Sequence, residues 1–90
     1  MAGSGIEDEA MRLLQAFYEL SGGKPNEAIP VGGPQSTEAE AAAPKAGMDP
    51  GTNRCEIAVR YLVDQSYIEA AEEAGTYRIT VPGIDQARAL

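Results

Sequence analysis

Few side chains in this 90-residue chain have the types and spacing that chemistry requires. There is one cysteine and no histidine, so the chain alone cannot build a zinc site of ordinary composition. Cys55 falls on the apolar face of a predicted helix, where a buried thiol is expected to be inert. No carboxylate pair is placed against an apolar wall that would raise one pKa. Gly32 and Gly33 lack the continuation of a phosphate-binding loop. We therefore expect no enzyme activity, no metal and no cofactor.

The charge of the chain is unevenly distributed. The net charge is −7, which opposes binding to nucleic acid because phosphate contacts need Lys and Arg. Residues 1–44 hold seven acids against two bases, and residues 66–90 hold four acids against two bases. Residues 45–65 are balanced, with three of each. The excess of acidic residues therefore lies mainly outside this middle segment.

Length and hydropathy indicate one domain over residues 1–90, with a flexible start over residues 1–4. No apolar run approaches the length of a membrane span, and no signal peptide is visible. A single cysteine allows no internal disulfide, which fits a reducing compartment such as the cytoplasm.

The first helix is predicted from Ser4 to Gly22. Ser4 and Glu7 have capping-box spacing, and Gly22 supplies a stop. Its predicted apolar face consists of Ile6, Ala10, Leu13, Leu14, Phe17 and Leu20. A loop over residues 24–35 follows, in which residues 29–31 could pair only at a sheet edge because Pro30 lies among them.

A second helix is predicted over residues 36–46, with Thr37 and Glu40 as a capping box. Pro44 is expected to kink this helix or end it early, because proline removes a backbone hydrogen bond.

The third helix is predicted over about residues 50–65, and it begins either at Asp49-Pro50 or at Asn53 with Glu56. Helical spacing predicts a buried side of Cys55, Ala58, Val59, Leu62 and Val63. The opposite side consists of Asn53, Ile57, Arg60, Tyr61 and Asp64.

Two alternating strands are predicted over residues 67–72 and 76–81, joined by a hairpin in which Gly75 needs a positive φ. Their inward side chains are predicted to be Ile68, Ala70, Tyr77, Ile79 and Val81. Pro82-Gly83 is expected to end the hairpin, and a short helix follows over residues 84–90.

Three segments together resemble the winged helix-turn-helix domains of bacterial transcription regulators. Ala43 followed by Gly47 and Met48 is similar to the turn signature of that family. Residues 60–68 resemble its passage from helix to strand, with Ser66 in place of the usual glycine, and residues 77–83 resemble its second wing strand. The resemblance implies an α+β winged helix-turn-helix: a three-helix core, a small antiparallel β-hairpin wing and a short C-terminal helix.

The same resemblance implies binding to double-stranded DNA, with the third helix in the major groove. Carried to this sequence, the residues that face DNA are Thr52, Asn53, Arg54, Ile57, Arg60 and Tyr61. Arginine suits guanine, asparagine suits adenine, and isoleucine suits the thymine methyl group. Lys45 and Arg78 would contact phosphate. Such a regulator, or fragment of one, would need a homodimer or a second domain to collect enough phosphate contacts.

An alternative is an acidic winged-helix module that binds a protein and not DNA. Ile57 and Tyr61 lie one turn apart opposite the predicted core side, and an exposed apolar pair can mark a partner site. The other interpretation, which the sequence slightly favours, is that the same pair packs against the first helix, Pro44 or the terminal helix.

Overall fold

The computed structural model describes residues 4–33 and 35–90 as an α+β arrangement. Within this part of the chain, four helices pack with one small three-stranded antiparallel sheet of order β1-β3-β2. The bounds are α1 Ser4–Ser21, β1 Ala28–Pro30, α2 Ala42–Lys45, α3 Asn53–Asp64, β2 Ile68–Ala70, β3 Thr76–Ile79 and α4 Val81–Ala89. The expected flexibility of residues 1–3, the Ser4 side chain of the predicted capping box, and Pro34 lie outside the described residues.

Helix α1 is the centre of the core. Leu13, Leu14 and Phe17 repeat at helical spacing and are fully buried. They pack with Leu62 of α3, and the ring of Phe17 meets that of Tyr77 edge-on at 6.3 Å. Ile6 was predicted on this face, but it is 48% exposed because the core begins only at Ala10.

The end of α1 agrees with the sequence prediction. Gly22 and Gly23 both have positive φ, and the amide of Gly23 donates to the carbonyl of Tyr18 at 3.0 Å. This is a Schellman termination, which glycine permits because it has no Cβ. The predicted edge strand also forms: β1 pairs antiparallel with β3 at the sheet edge, and Ile29 is buried.

The second helix is much shorter than predicted, and Pro44 neither kinks nor ends it. Pro44 is the third residue of α2, where no intrahelical partner exists for an amide hydrogen, so the missing N–H costs nothing there. The helix therefore cannot extend back to residue 36. The predicted capping pair closes one isolated turn, in which a carboxylate oxygen of Glu40 accepts from the Thr37 amide at 3.3 Å.

Helix α3 is capped by neither of the two predicted residues, Asp49 and Asn53. Thr52 is the N-cap, and its hydroxyl accepts a hydrogen bond from the Cys55 amide at 3.4 Å. Cys55, Ala58, Val59 and Leu62 are buried as predicted. The prediction was wrong for Val63, which is 39% exposed because no described element covers it.

The hairpin has shorter strands than predicted, and Gly75 has the expected positive φ of 80°. Ile68 and Ile79 are buried, but Ala70 is exposed and its predicted inward position was wrong. Val81 was also placed wrongly: it is 61% exposed and begins α4. Helix α4 starts earlier than predicted because Thr80 caps it, with its hydroxyl accepting from the Gly83 amide at 3.1 Å.

Candidate functional site

The turn before α3 determines which side chains this helix presents. The hydroxyl of Thr52 donates to the carbonyl of Asp49 at 2.8 Å while accepting from the Cys55 amide, so one residue joins the turn to the first helical turn. Upstream, Gly47 has a φ of 79°, and the amide of Met48 donates to the Ala43 carbonyl at 2.8 Å. The start of α3 is therefore fixed by backbone hydrogen bonds at both ends of this connection.

Five of the eight predicted site residues lie together on the exposed part of α3 and its cap. We call this surface the α3 outer face; it consists of Thr52, Asn53, Arg54, Ile57 and Arg60. Ile57 is the apolar member and is 47% exposed. The surface projects from a helix whose other side is anchored in the core, so its residues are held at fixed relative positions.

Tyr61 belongs to a different environment from Ile57. It is half-buried, packs on the core, and its hydroxyl donates to a carboxylate oxygen of Glu7 in α1 at 3.3 Å. Desolvation and the neighbouring carboxylate of Glu7 raise the pKa of Tyr61 above its ordinary value of 10.0. Tyr61 thus links α3 to α1 and is less exposed than Ile57, its neighbour one turn earlier.

Lys45 and Arg78 lie away from the α3 outer face. Lys45 closes α2 and forms an ion pair with Glu19 of α1. Arg78 lies on the central strand β3, next to Tyr77, whose ring packs on α1. Successive side chains of a strand point to opposite faces of its sheet, so Arg78 lies on the sheet face directed away from α1.

Glutamates pair with three of the four basic residues in the predicted site. Lys45 Nζ lies 3.2 Å from a carboxylate oxygen of Glu19, and Arg54 Nε lies 3.3 Å from one of Glu9. Arg78 lies between two acids, with a nitrogen 3.6 Å from Glu69 and another 3.4 Å from Glu72. Of these four bases, Arg60 is the one that forms no ion pair with a side chain in the described part of the chain.

A cleft of about 620 Å³ runs along α3 next to the outer face, and Arg60 lies at the border of both. One wall is formed by Val59 and Val63 of α3, and the other by Val31 beside β1 and Tyr77 of β3. We call it the α3–hairpin cleft, since Gly75 of the hairpin turn closes one end. Three charged residues of α3 also line it: Glu56, Arg60 and Asp64.

The sequence interpretation missed this cleft because it assigned Val63 to the core. One signal was available: Val63 lies 100° around the helix from Leu62, toward Glu56 and Arg60, and therefore at the edge of the apolar stripe. Helical spacing alone does not tell whether another element covers such an edge position.

The one thiol of the chain, that of Cys55, lies in the core. Cys55 is 2% exposed, and burial together with the nearby Glu56 carboxylate raises the pKa of its thiol, which keeps it protonated. Among residues 4–33 and 35–90, no three His, Cys, Asp or Glu side chains come close enough to hold a metal ion. In the same ranges, no helix is long and apolar enough to cross a bilayer.

No family model matches the sequence, and neither the curated proteins nor the solved structures gave a match.

Proposed function

We propose that the domain is a winged helix-turn-helix that serves as a protein-interaction module. The fold part of the proposal is supported by the element order, by the sheet order β1-β3-β2, and by the resemblance of residues 43–83 to that family. In this interpretation α2 and α3 form the helix-turn-helix, and the β2–β3 hairpin is the wing.

One observation carries the functional part: glutamates already neutralise the basic side chains that would meet phosphate. Surface ion pairs of this kind are weak, about 0–1 kcal/mol each, so DNA could displace them. The glutamates would nevertheless stay beside the phosphates. Two like charges 4 Å apart repel by about 1 kcal/mol even in water. Glu9, Glu69 and Glu72 would therefore each oppose binding.

The exposed apolar residues of α3 favour a protein partner instead. Ile57 is about half exposed on the α3 outer face, and Val63 is exposed in the adjoining cleft along the same helix. Apolar side chains held on a rigid helix and surrounded by charges are typical of protein-binding surfaces. A net charge of −7 keeps such a surface soluble and gives it a preference for basic partners.

DNA binding is a second candidate, and one observation favours it. Thr52, Asn53, Arg54, Ile57 and Arg60 are all exposed at the start or middle of α3, where a recognition helix would present them. Because Arg60 is the one basic residue of the predicted site without an ion pair in the described part of the chain, a homodimer or an adjoining domain would have to supply further phosphate contacts.

A titration followed by amide chemical shifts separates the two candidates. Mixed duplex DNA would be added at about 20–50 mM salt and again near 200 mM. We expect no clustered shifts on residues 52–60 under either condition. Shifts that cluster there, weaken steeply with salt, and are lost in Arg60→Gln but kept in Arg88→Gln would establish DNA binding and overturn our preference.

The protein-interaction function is tested by affinity capture from the source organism, followed by binding measurements with the purified partner. We expect Ile57→Ser to weaken binding and the equally apolar, exposed control Val81→Ser to preserve it. A partner that binds both variants alike would show that the α3 outer face is not the interaction surface.

A further inference from the structure

The α3–hairpin cleft combines apolar walls with a charged border in one open site. We propose that it binds a basic amphipathic helix of a partner protein, an inference that rests on the protein-interaction function and names its partner class. The apolar side of that helix would fill the cleft, and its lysines or arginines would meet the acidic border.

The walls are suited to large aliphatic side chains. Val59 and Val63 lie one turn apart on α3 and face Val31 and Tyr77 across the cleft. The volume of about 620 Å³ lies within the range of natural ligand sites, and helix-in-groove complexes insert anchors at similar one-turn spacing. Of the two α3 valines, Val63 carries most of the exposed surface, since Val59 is already largely buried.

Backbone hydrogen bonding of Val31 opposes the main alternative at the cleft, a peptide that adds a strand to the sheet. Strand addition requires free N–H and C=O groups at the edge. The amide of Val31 already donates to the Gly75 carbonyl at 2.9 Å, and its carbonyl accepts from the Ala43 amide at 2.9 Å. A partner at this point must therefore bind through side chains, which favours a helix.

The charged border determines which sign of charge the partner helix should carry. Glu56, Arg60 and Asp64 follow one another at intervals of four residues, so they form a single line along the cleft with a net charge of −1. The domain as a whole carries −7, which attracts a basic helix over a longer range. Arg60 lies between the two acids and is the one feature that opposes a basic partner.

The test uses synthetic peptides and the whole chain labelled for NMR. The first probe is an amphipathic helix of roughly 18 leucines and lysines, which is long enough to form a helix on binding. The second has glutamate in place of lysine, and the third has the composition of the first in an order that removes the apolar face. The readout is the methyl signals of Val31, Val59 and Val63.

We expect saturable shifts of these methyl signals with the first peptide only. Val63→Thr keeps the side-chain shape but replaces a methyl by a hydroxyl, and should weaken binding by about fivefold. Val81→Thr, which makes the same change outside the cleft, should not alter it. Arg60→Gln should tighten binding because it removes the opposing charge, and it also tests the proposal in a variant that leaves the walls intact.

Three results would overturn the assignment: equal shifts with the reordered peptide, tighter binding of the glutamate peptide, or shifts centred on Glu69, Glu72 and Glu73 of the hairpin. Failure of the cleft assignment is distinguishable from failure of the proposed protein-interaction function. If the cleft is not used but a natural partner still depends on Ile57, the module binds protein through the α3 outer face alone.

Discussion

Gly83 of α4 lies directly against the backbone carbonyl of Tyr67. A Cβ added at Gly83 would lie 2.0 Å from the Tyr67 oxygen and 2.9 Å from a side-chain carbon of Ile79. Two hydrogen bonds reinforce this contact: the Thr80 amide donates to the Tyr67 carbonyl at 2.9 Å, and the Thr80 hydroxyl donates to the carbonyl of Ser66. The first turn of α4 thus holds the corner at which α3 passes into β2.

Gly83→Ala should destabilise the domain by about 1–3 kcal/mol, because a backbone atom cannot move aside as a flexible side chain can. The measurement is the urea midpoint at constant slope. Gly51→Ala is the matched control, since a Cβ there meets nothing within 4 Å. Equal midpoints for the two variants would mean that α4 does not pack on the Tyr67 carbonyl.

Ser66 provides a second test of the same corner. It has a φ of 64°, the one positive value among the described residues other than glycine. The left-handed conformation costs an L-residue about 1–2 kcal/mol, and the greater freedom of glycine in the unfolded chain offsets part of that relief. Ser66→Gly should therefore stabilise the domain by about 0.5–1 kcal/mol.

The neighbouring residue serves as a control of opposite sign. Gln65 has a φ of −84°, where glycine has no advantage, so Gln65→Gly should destabilise by about 0.5–1 kcal/mol. Thermal or urea unfolding of both variants checks the pair. Destabilisation by Ser66→Gly would contradict the left-handed assignment at the corner.

The sequence predicted those parts of the fold that are set by local backbone conformation or by helical spacing. The glycines that end α1 and the glycine in the hairpin turn depend on backbone angles, which single residue types reveal. The positive φ of Ser66 was not predicted, although Ser66 stands where the winged-helix pattern that the sequence resembles has glycine. The exposed position of Ile57 followed from helical spacing alone.

Features that depend on tertiary approach could not be predicted. The pairs Arg54–Glu9 and Lys45–Glu19 join residues far apart in the chain, so composition showed the charges but not their neutralisation. Tyr61 has the spacing of an exposed residue, yet the closeness of α1 places Glu7 beside its hydroxyl. The cleft escaped prediction for the same reason, because it exists only between α3 and strands from two separate segments.

Leu62 and Val63 are adjacent aliphatic residues with opposite surroundings, which gives a direct test of how α3 is rotated. Leu62 is fully buried, and Leu62→Ala should destabilise by about 2–5 kcal/mol through lost contacts and the cavity left behind. Val63→Ala should cost less than about 1 kcal/mol because the side chain already meets solvent. Similar losses at both positions, measured by urea unfolding, would mean that the helix is rotated from the orientation described.

The thiol of Cys55 should be unreactive in the folded domain, which tests whether this side of α3 is buried. Its burial at 2% exposure blocks access, and its raised pKa lowers the thiolate fraction near neutral pH below that of a free cysteine, whose ordinary value is 9.0. Both effects slow attack on a disulfide reagent such as dithiobis-nitrobenzoate, because the thiolate is the nucleophile.

At pH 8 we expect no measurable reaction of the folded domain over the time in which the urea-unfolded chain reacts completely at one thiol. Raising the pH should speed the folded reaction only as the thiol ionises or the domain opens. Cys55 also lines the α3–hairpin cleft, so rapid reaction of the folded domain at pH 8 would show that the cleft is open to solvent down to this thiol, and a binding site with that shape would no longer be the one described.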